Sequence, residues 1–146
     1  MNEVIIRGYR EEDLNAVTGL TNQLGYPTTV DEMQQRMLRL SGKEDYRTVV
    51  AAVNGEVAGY AGLIKGFCWE KNGCFVRIQA LVVNSNYRQT GIGKKLIAST
   101  EQWAKAIHAK ALILNCGINP EREGARLFYP KIGFEATSKG YYRTID

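Results

Sequence analysis

A chain of 146 residues with 45% hydrophobic and 23% charged residues is long enough to bury one core, and its composition is that of neither a disordered nor a repeat protein. No apolar run approaches the ~20 residues that cross a bilayer, and Met1-Asn2-Glu3-Val4-Ile5 lacks the basic-then-apolar order of a signal peptide, so one cytoplasmic domain over residues 1–146 is expected. A net charge of +4 would suit nucleic acid, but the basic residues are scattered, with Lys94-Lys95 the one adjacent pair, and a small ligand carrying phosphates fits the charge at least as well. Cys68, Cys74 and Cys116 share no Cys-x-x-Cys spacing with each other or with the lone His108, which points to free thiols and to no metal site.

In chain order, Glu3 to Tyr9 alternates as a short strand, and Arg10-Glu11-Glu12-Asp13 opens a helix carrying Leu14, Val17, Leu20 and Leu24 at helical spacing, stopped by Gly25-Tyr26-Pro27. A second helix begins after Thr28 or Thr29 and presents Val30, Met33, Met37 and Leu40 until Ser41-Gly42-Lys43. Tyr46 to Val53 and Glu56 to Ile64 flank Asn54-Gly55, a strong short hairpin signal. Phe75 to Val83 alternates and then becomes continuously apolar, as a central strand covered on both faces does. Ile92 to Lys110 carries a broad apolar stripe of helical period, and Ala111 to Asn115 follows as a buried strand, making a strand-helix-strand crossover with parallel strands. A shorter helix over Glu121 to Lys131 reaches Gly133, and two final strands are expected on either side of Lys139-Gly140.

The junction between the central strand and the long helix carries Arg88-Gln89-Thr90-Gly91-Ile92-Gly93. A helix start offers unpaired N–H groups and the positive end of the helix dipole, glycine lets an anion approach the backbone, and Arg88 and Lys94 add counter-charge. Fifteen glycines in 146 residues make about 1.5 Gly-x-Gly pairs expected by chance, so context decides. The dinucleotide fingerprint needs a third glycine and a distal acid where this chain has Leu96 and Ile113, and no NTP loop of the G-x-x-x-x-G-K-[ST] type is present.

The segment from Ala80 through Arg88-Gln89-Thr90-Gly91-Ile92-Gly93 to Leu96 resembles the coenzyme-binding motif of the GNAT superfamily of acetyltransferases, and Glu121 to Phe134, with Leu127-Phe128-Tyr129-Pro130, is similar to a later motif of the same superfamily. The resemblance implies an α/β fold: a mixed, mostly antiparallel sheet of about six to seven strands with a splayed parallel pair, flanked by about four helices. It implies acetyl-CoA as co-substrate, its pyrophosphate ringed by the N–H groups of Gln89, Thr90, Gly91, Ile92, Gly93 and Lys94 beside Arg88. Its pantetheine would pair with the backbone of Leu81, Val82 and Val83, and Asn119 would add a contact.

Tyr129 is the acid that the resemblance implies for the departing thiolate. A phenol with pKa about 10 is protonated at neutral pH and lies close enough to a thiol of about 8.5 to serve; the competing reading is an aromatic core residue beside Phe128. Many relatives place a glutamate where this chain has Gln79, whose amide cannot take a proton. It would orient a water or the acceptor, with water, Glu123 or buffer removing the proton, or it is simply a polar residue on a half-exposed face.

The expected reaction is direct transfer of acetyl to a primary amine, with a small molecule favoured over a protein or peptide amine, and a non-catalytic acyl-CoA sensor is the alternative from another class. Tyr26, Phe67, Trp69, Tyr141 and Tyr142, with Asp31, Glu32 and Glu70, are candidates to wall and attract the amine. Arg122 is a candidate phosphate partner, and Arg126 reads as part of a solvated helix face. Neither nucleic acid nor membrane is an expected partner. A homodimer is an expectation of the resemblance that no stripe in the sequence marks.

Overall fold

The computed structural model describes residues 3–146, which fall into two compact units, residues 3–113 and Leu114–Asp146. The strands are β1 (Val4–Gly8), β2 (Tyr46–Val53), β3 (Glu56–Phe67), β4 (Cys74–Val83) and β5 (Leu112–Leu114), and the helices are α1 (Leu14–Leu24), α2 (Val30–Ser41), α3 (Ile92–Ala106) and α4 (Glu123–Lys131). The strands form one sheet in the order β1-β2-β3-β4-β5, antiparallel apart from one parallel pair.

The β2–β3 hairpin turns where expected. Asn54 (φ 52°) and Gly55 (φ 83°) both take the left-handed conformation that a two-residue turn of this twist requires. Alternation along the sheet then sends Val50, Tyr60 and Val82 toward α1 and α2, where Val17, Leu20, Met33 and Met37 close a core. Burying a side chain such as Leu20, 2% exposed, contributes about 2–3 kcal/mol. The opposite face meets α3. A Cβ at Gly59 would stand 2.9 Å from the Val82 carbonyl oxygen and 3.4 Å from both Ile92 Cγ2 and Leu96 Cδ1, so glycine lets the first turn of α3 lie directly on the strands.

Local chemistry sets the helix limits. Glu11–Asp13 is a turn of 3-10 helix rather than the first turn of α1, because Asp13 is drawn back to β1: its carboxylate takes both guanidinium nitrogens of Arg7 (2.7 and 2.9 Å) and the Arg10 N–H (2.8 Å). That pairing holds the Asp13 carboxyl below its ordinary pKa. Thr29 and Glu32 form a reciprocal capping box at the start of α2. α3 ends at Ala106, short of the expected Lys110, because His108 turns left-handed (φ 59°) and the Ala109 N–H reaches back to the Ala104 carbonyl.

Two further expectations are corrected. The short helix starts at Glu123 after a 3-10 turn over Pro120–Arg122. Residues 134–146 form no strand: Tyr141 and Tyr142 stand 93% and 92% exposed, and the segment joins no ladder, so among the described residues the sheet has five strands and not six or seven. A strand-like pattern becomes a strand only against a partner edge.

Candidate functional site

The junction after β4 is a chain of satisfied turns that delivers an unsatisfied one. The Asn84 N–H extends the strand pairing to the Ala58 carbonyl (2.7 Å), Asn84 Oδ1 accepts the Asn86 N–H (3.0 Å), and the Tyr87 N–H returns to the Asn84 carbonyl (2.8 Å). The Thr90 hydroxyl donates to the Tyr87 carbonyl. Gln89 (φ 63°) and Gly91 (φ 88°) then turn left-handed, and since a Cβ at Gly91 would meet nothing within 4 Å, backbone conformation and not space demands glycine there.

The Lys95 N–H to the Gly91 carbonyl (3.1 Å) starts the helical ladder, so the N–H groups of Ile92, Gly93 and Lys94 precede it at the positive end of a 15-residue helix. Buried Ile92 fixes that end. Arg88 and Lys94 are exposed, and Arg88 Nε leans to the Val83 carbonyl at 3.5 Å. This arrangement has the donors and charge that an anion site requires, built of main chain with basic side chains at its margin.

Upstream, β4 contains a bulge. Ala80 pairs with Gly62 and Ile78 with Leu63, leaving exposed Gln79 as the extra residue, outside the ladder. Val82 is buried, while Leu81 and Val83 are only half-buried, so the end of β4 is not covered on both faces as expected. The Val76 N–H donates to the Ala111 carbonyl and the Lys110 N–H to the Cys74 carbonyl. A parallel neighbour of three residues starting there runs out before Leu81.

The second unit carries a different kind of candidate. Tyr129 is the buried residue of α4, 8% exposed, with its ring edge-on to Phe128 (5.4 Å) and Phe134 (5.7 Å); Phe128, the expected core member, is only half-buried. Burial pushes the Tyr129 phenol above its ordinary value near 10, Arg122 draws it back, and Cys116 adds a smaller upward push. Asn119 is exposed and donates through Nδ2 to Glu121 (2.6 Å). Arg126 is no solvated bystander: its Nη1 donates to the carbonyls of Gly117 (2.7 Å) and Asn119 (2.9 Å), fixing the turn ahead of α4.

Of the candidate amine-binding residues, Glu32 is engaged in its capping box, whereas Tyr26, Phe67, Trp69, Asp31 and Glu70 are exposed in the first unit and Tyr141 and Tyr142 in the second. The three cysteines are free. Among the described residues, no helix is long and apolar enough to cross a membrane. Sequence reasoning missed Gly59 and Arg126; the small residues Ala58, Gly59, Ala61 and Gly62 hinted at a close approach, and nothing signalled Arg126.

The model of the acetyltransferase (GNAT) family matches residues 14–134. The fold is similar to that of a crystal structure of a GNAT family acetyltransferase from Staphylococcus aureus, at 28% identity and TM-score 0.84, covering 99% of this chain and 100% of that one. It is similar also to glucosamine-6-phosphate N-acetyltransferase from Arabidopsis thaliana (23% identity, TM-score 0.82, 99% of each chain). A third likeness is to the aminoglycoside N-acetyltransferase AAC(6')-Iy in complex with CoA (20%, 0.84, 99% of this chain and 96% of that). No curated protein matches the chain at a significant level.

Proposed function

The chain belongs to the acetyltransferase (GNAT) family, and from that premise we propose that it is an N-acetyltransferase that moves the acetyl group of acetyl-CoA directly to a primary amine of a small molecule. The observation that carries this reading is the left-handed turn at Gly91 feeding three free N–H groups at the head of α3, which suits a pyrophosphate in both charge and donor geometry. The residues present fit the coenzyme: Arg88 and Lys94 supply counter-charge, and the end of β4 from Leu81 to Val83 lies beyond the reach of so short a parallel neighbour, leaving backbone groups for pantetheine amides.

In the proposed reaction the neutral amine attacks the thioester carbonyl, the C–N bond forms and the C–S bond breaks. The Tyr129 hydroxyl proton goes to the departing sulfur, the proton lost by nitrogen leaves to a water that Gln79 orients without itself accepting it, and the Tyr129 phenolate takes a proton back from water before the next turnover. A phenol raised above its ordinary value is a weaker acid than a thiol of about 8.5, so full transfer is uphill and is driven by the breaking of the C–S bond. Burial keeps the phenol protonated beforehand, and Arg122, which favours the phenolate, limits how far burial raises it. The small-molecule assignment is supported by similar folds named for amino-sugar acetylation and by exposed Asp31 and Glu70, suited to attract a cationic amine.

The test is acetyl-CoA with a panel of small amines and peptides, read by product mass and thiol release. Acetylated small amines are the expected outcome. Tight coenzyme binding with no amine turned over would replace the enzyme by a sensor, and products on peptides alone would move the acceptor class.

A further inference from the structure

Each of the four amides from Asn84 to Tyr87 has an acceptor, and three of the four acceptors belong to β3 or to the turn itself. The fourth does not. The Ser85 N–H donates to Gln23 Oε1 at 2.9 Å, and Gln23 sits on the last turn of α1, 62 residues earlier in the chain.

That helix end is a firm support. Gly25 closes it in the left-handed conformation (φ 109°), with the Gly25 N–H on the Asn22 carbonyl and the Tyr26 N–H on the Thr21 carbonyl. Thr21 is itself tied into the core, its hydroxyl 2.7 Å from the Tyr60 hydroxyl. Asn22, next to Gln23, accepts the Thr28 N–H (2.8 Å) and steadies the turn between α1 and α2.

We infer that Gln23 is a positioning residue for the coenzyme loop, tethering its first turn to α1 so that the N–H groups after Gly91 are aimed before the ligand arrives. This rests on the proposed role of that loop and deepens it. The loop passes through left-handed Gln89, a conformation that side chains disfavour, so a bond that fixes its start favours this shape over relaxed ones. Loss of the tether lowers the fraction of binding-competent loop, and the apparent Kd rises by the same factor.

The experiment compares wild type with Gln23→Met, which keeps length but removes the acceptor, and with Gln23→Glu, which keeps an acceptor oxygen. CoA binding is measured by calorimetry, and amide exchange over residues 85–91 is followed in the free protein. Gln23→Met is expected to raise the Kd for CoA about three- to tenfold, the effect of one exposed hydrogen bond, and to speed exchange of the loop amides. Gln23→Glu is expected to restore slow exchange. A wild-type Kd in Gln23→Met overturns the inference, as does a raised Kd with unaltered exchange or exchange that Gln23→Glu fails to restore. Wild type that binds no CoA is a separate failure: it removes the reading of the loop as a coenzyme site, and the inference with it.

Discussion

The segment from Asn84 to Lys94 and the segment from Cys116 to Tyr129 solve their tasks with different parts of the chain. In the first, the groups proposed to meet a ligand are N–H groups of the main chain, held by turns, one left-handed glycine and a helix start. In the second, they are side chains: a buried phenol with a guanidinium beside it, on a helix whose preceding turn is locked by Arg126. Main-chain sites tolerate changes of side chain and fail when a Cβ is forced where the backbone cannot carry one. Side-chain sites behave the other way round.

The sharpest way to break that contrast is Tyr129→Phe, which leaves the packing and takes the proton. Turnover is expected to fall about 10²–10³-fold, with the Kd for CoA within about twofold of wild type, by steady-state thiol release beside calorimetry. Unchanged turnover removes Tyr129 from the acid role. The same residue sets a pH signature. An acid works below its pKa, and burial raises this one, so wild-type turnover is expected to hold until above pH 10 and to fall as pH rises through the raised value. Tyr129→Phe should lack that fall.

Gly91→Val comes next, placing a β-branched residue at φ 88°. Strain of about 1–2 kcal/mol predicts a Kd for CoA raised about five- to thirtyfold with little change in the chemical step. Equal affinity would mean that the loop does not hold the coenzyme. A smaller effect belongs to Arg126→Met, which removes two exposed bonds to carbonyls: exchange of the amides of Ile118, Asn119, Glu121 and Arg122 should quicken severalfold, at about 0.5 kcal/mol per bond. Smallest of all is Gln89→Gly, where relief of the left-handed side chain opposes added freedom in the unfolded chain, and CoA affinity should stay within about twofold. A large loss there would show that the Gln89 side chain takes part.

Most of the first unit was legible because its signals are local. Asn54-Gly55 can form only one kind of tight turn comfortably, Thr29-x-x-Glu32 is a reciprocal cap, and the stripe of α3 has helical period. The end of α3 was not legible, since histidine occupies the left-handed position that glycine normally announces. Residues 134–146 carry strand-like residues without an edge to bond, which no local pattern reveals. Within the site, the glycine loop was readable through chain order and residue type, but the partners of Gln23 and Arg126 are distant in sequence or lie on carbonyls that have no code.

The extra residue at Gln79 also settles a matter of parity. Val76 and Ile78 lie opposite Lys65 and Leu63, on the α3 side of the sheet, whereas Val82 lies opposite Tyr60 and joins the core beneath α1 and α2. All three positions carry even numbers. A plain ten-residue strand would send them to one face, and one inserted residue lets a single strand serve two cores in turn. Deleting Gln79 would therefore do more than remove an amide: either the beginning or the end of β4 would have to turn its apolar side chains away from the layer that now receives them.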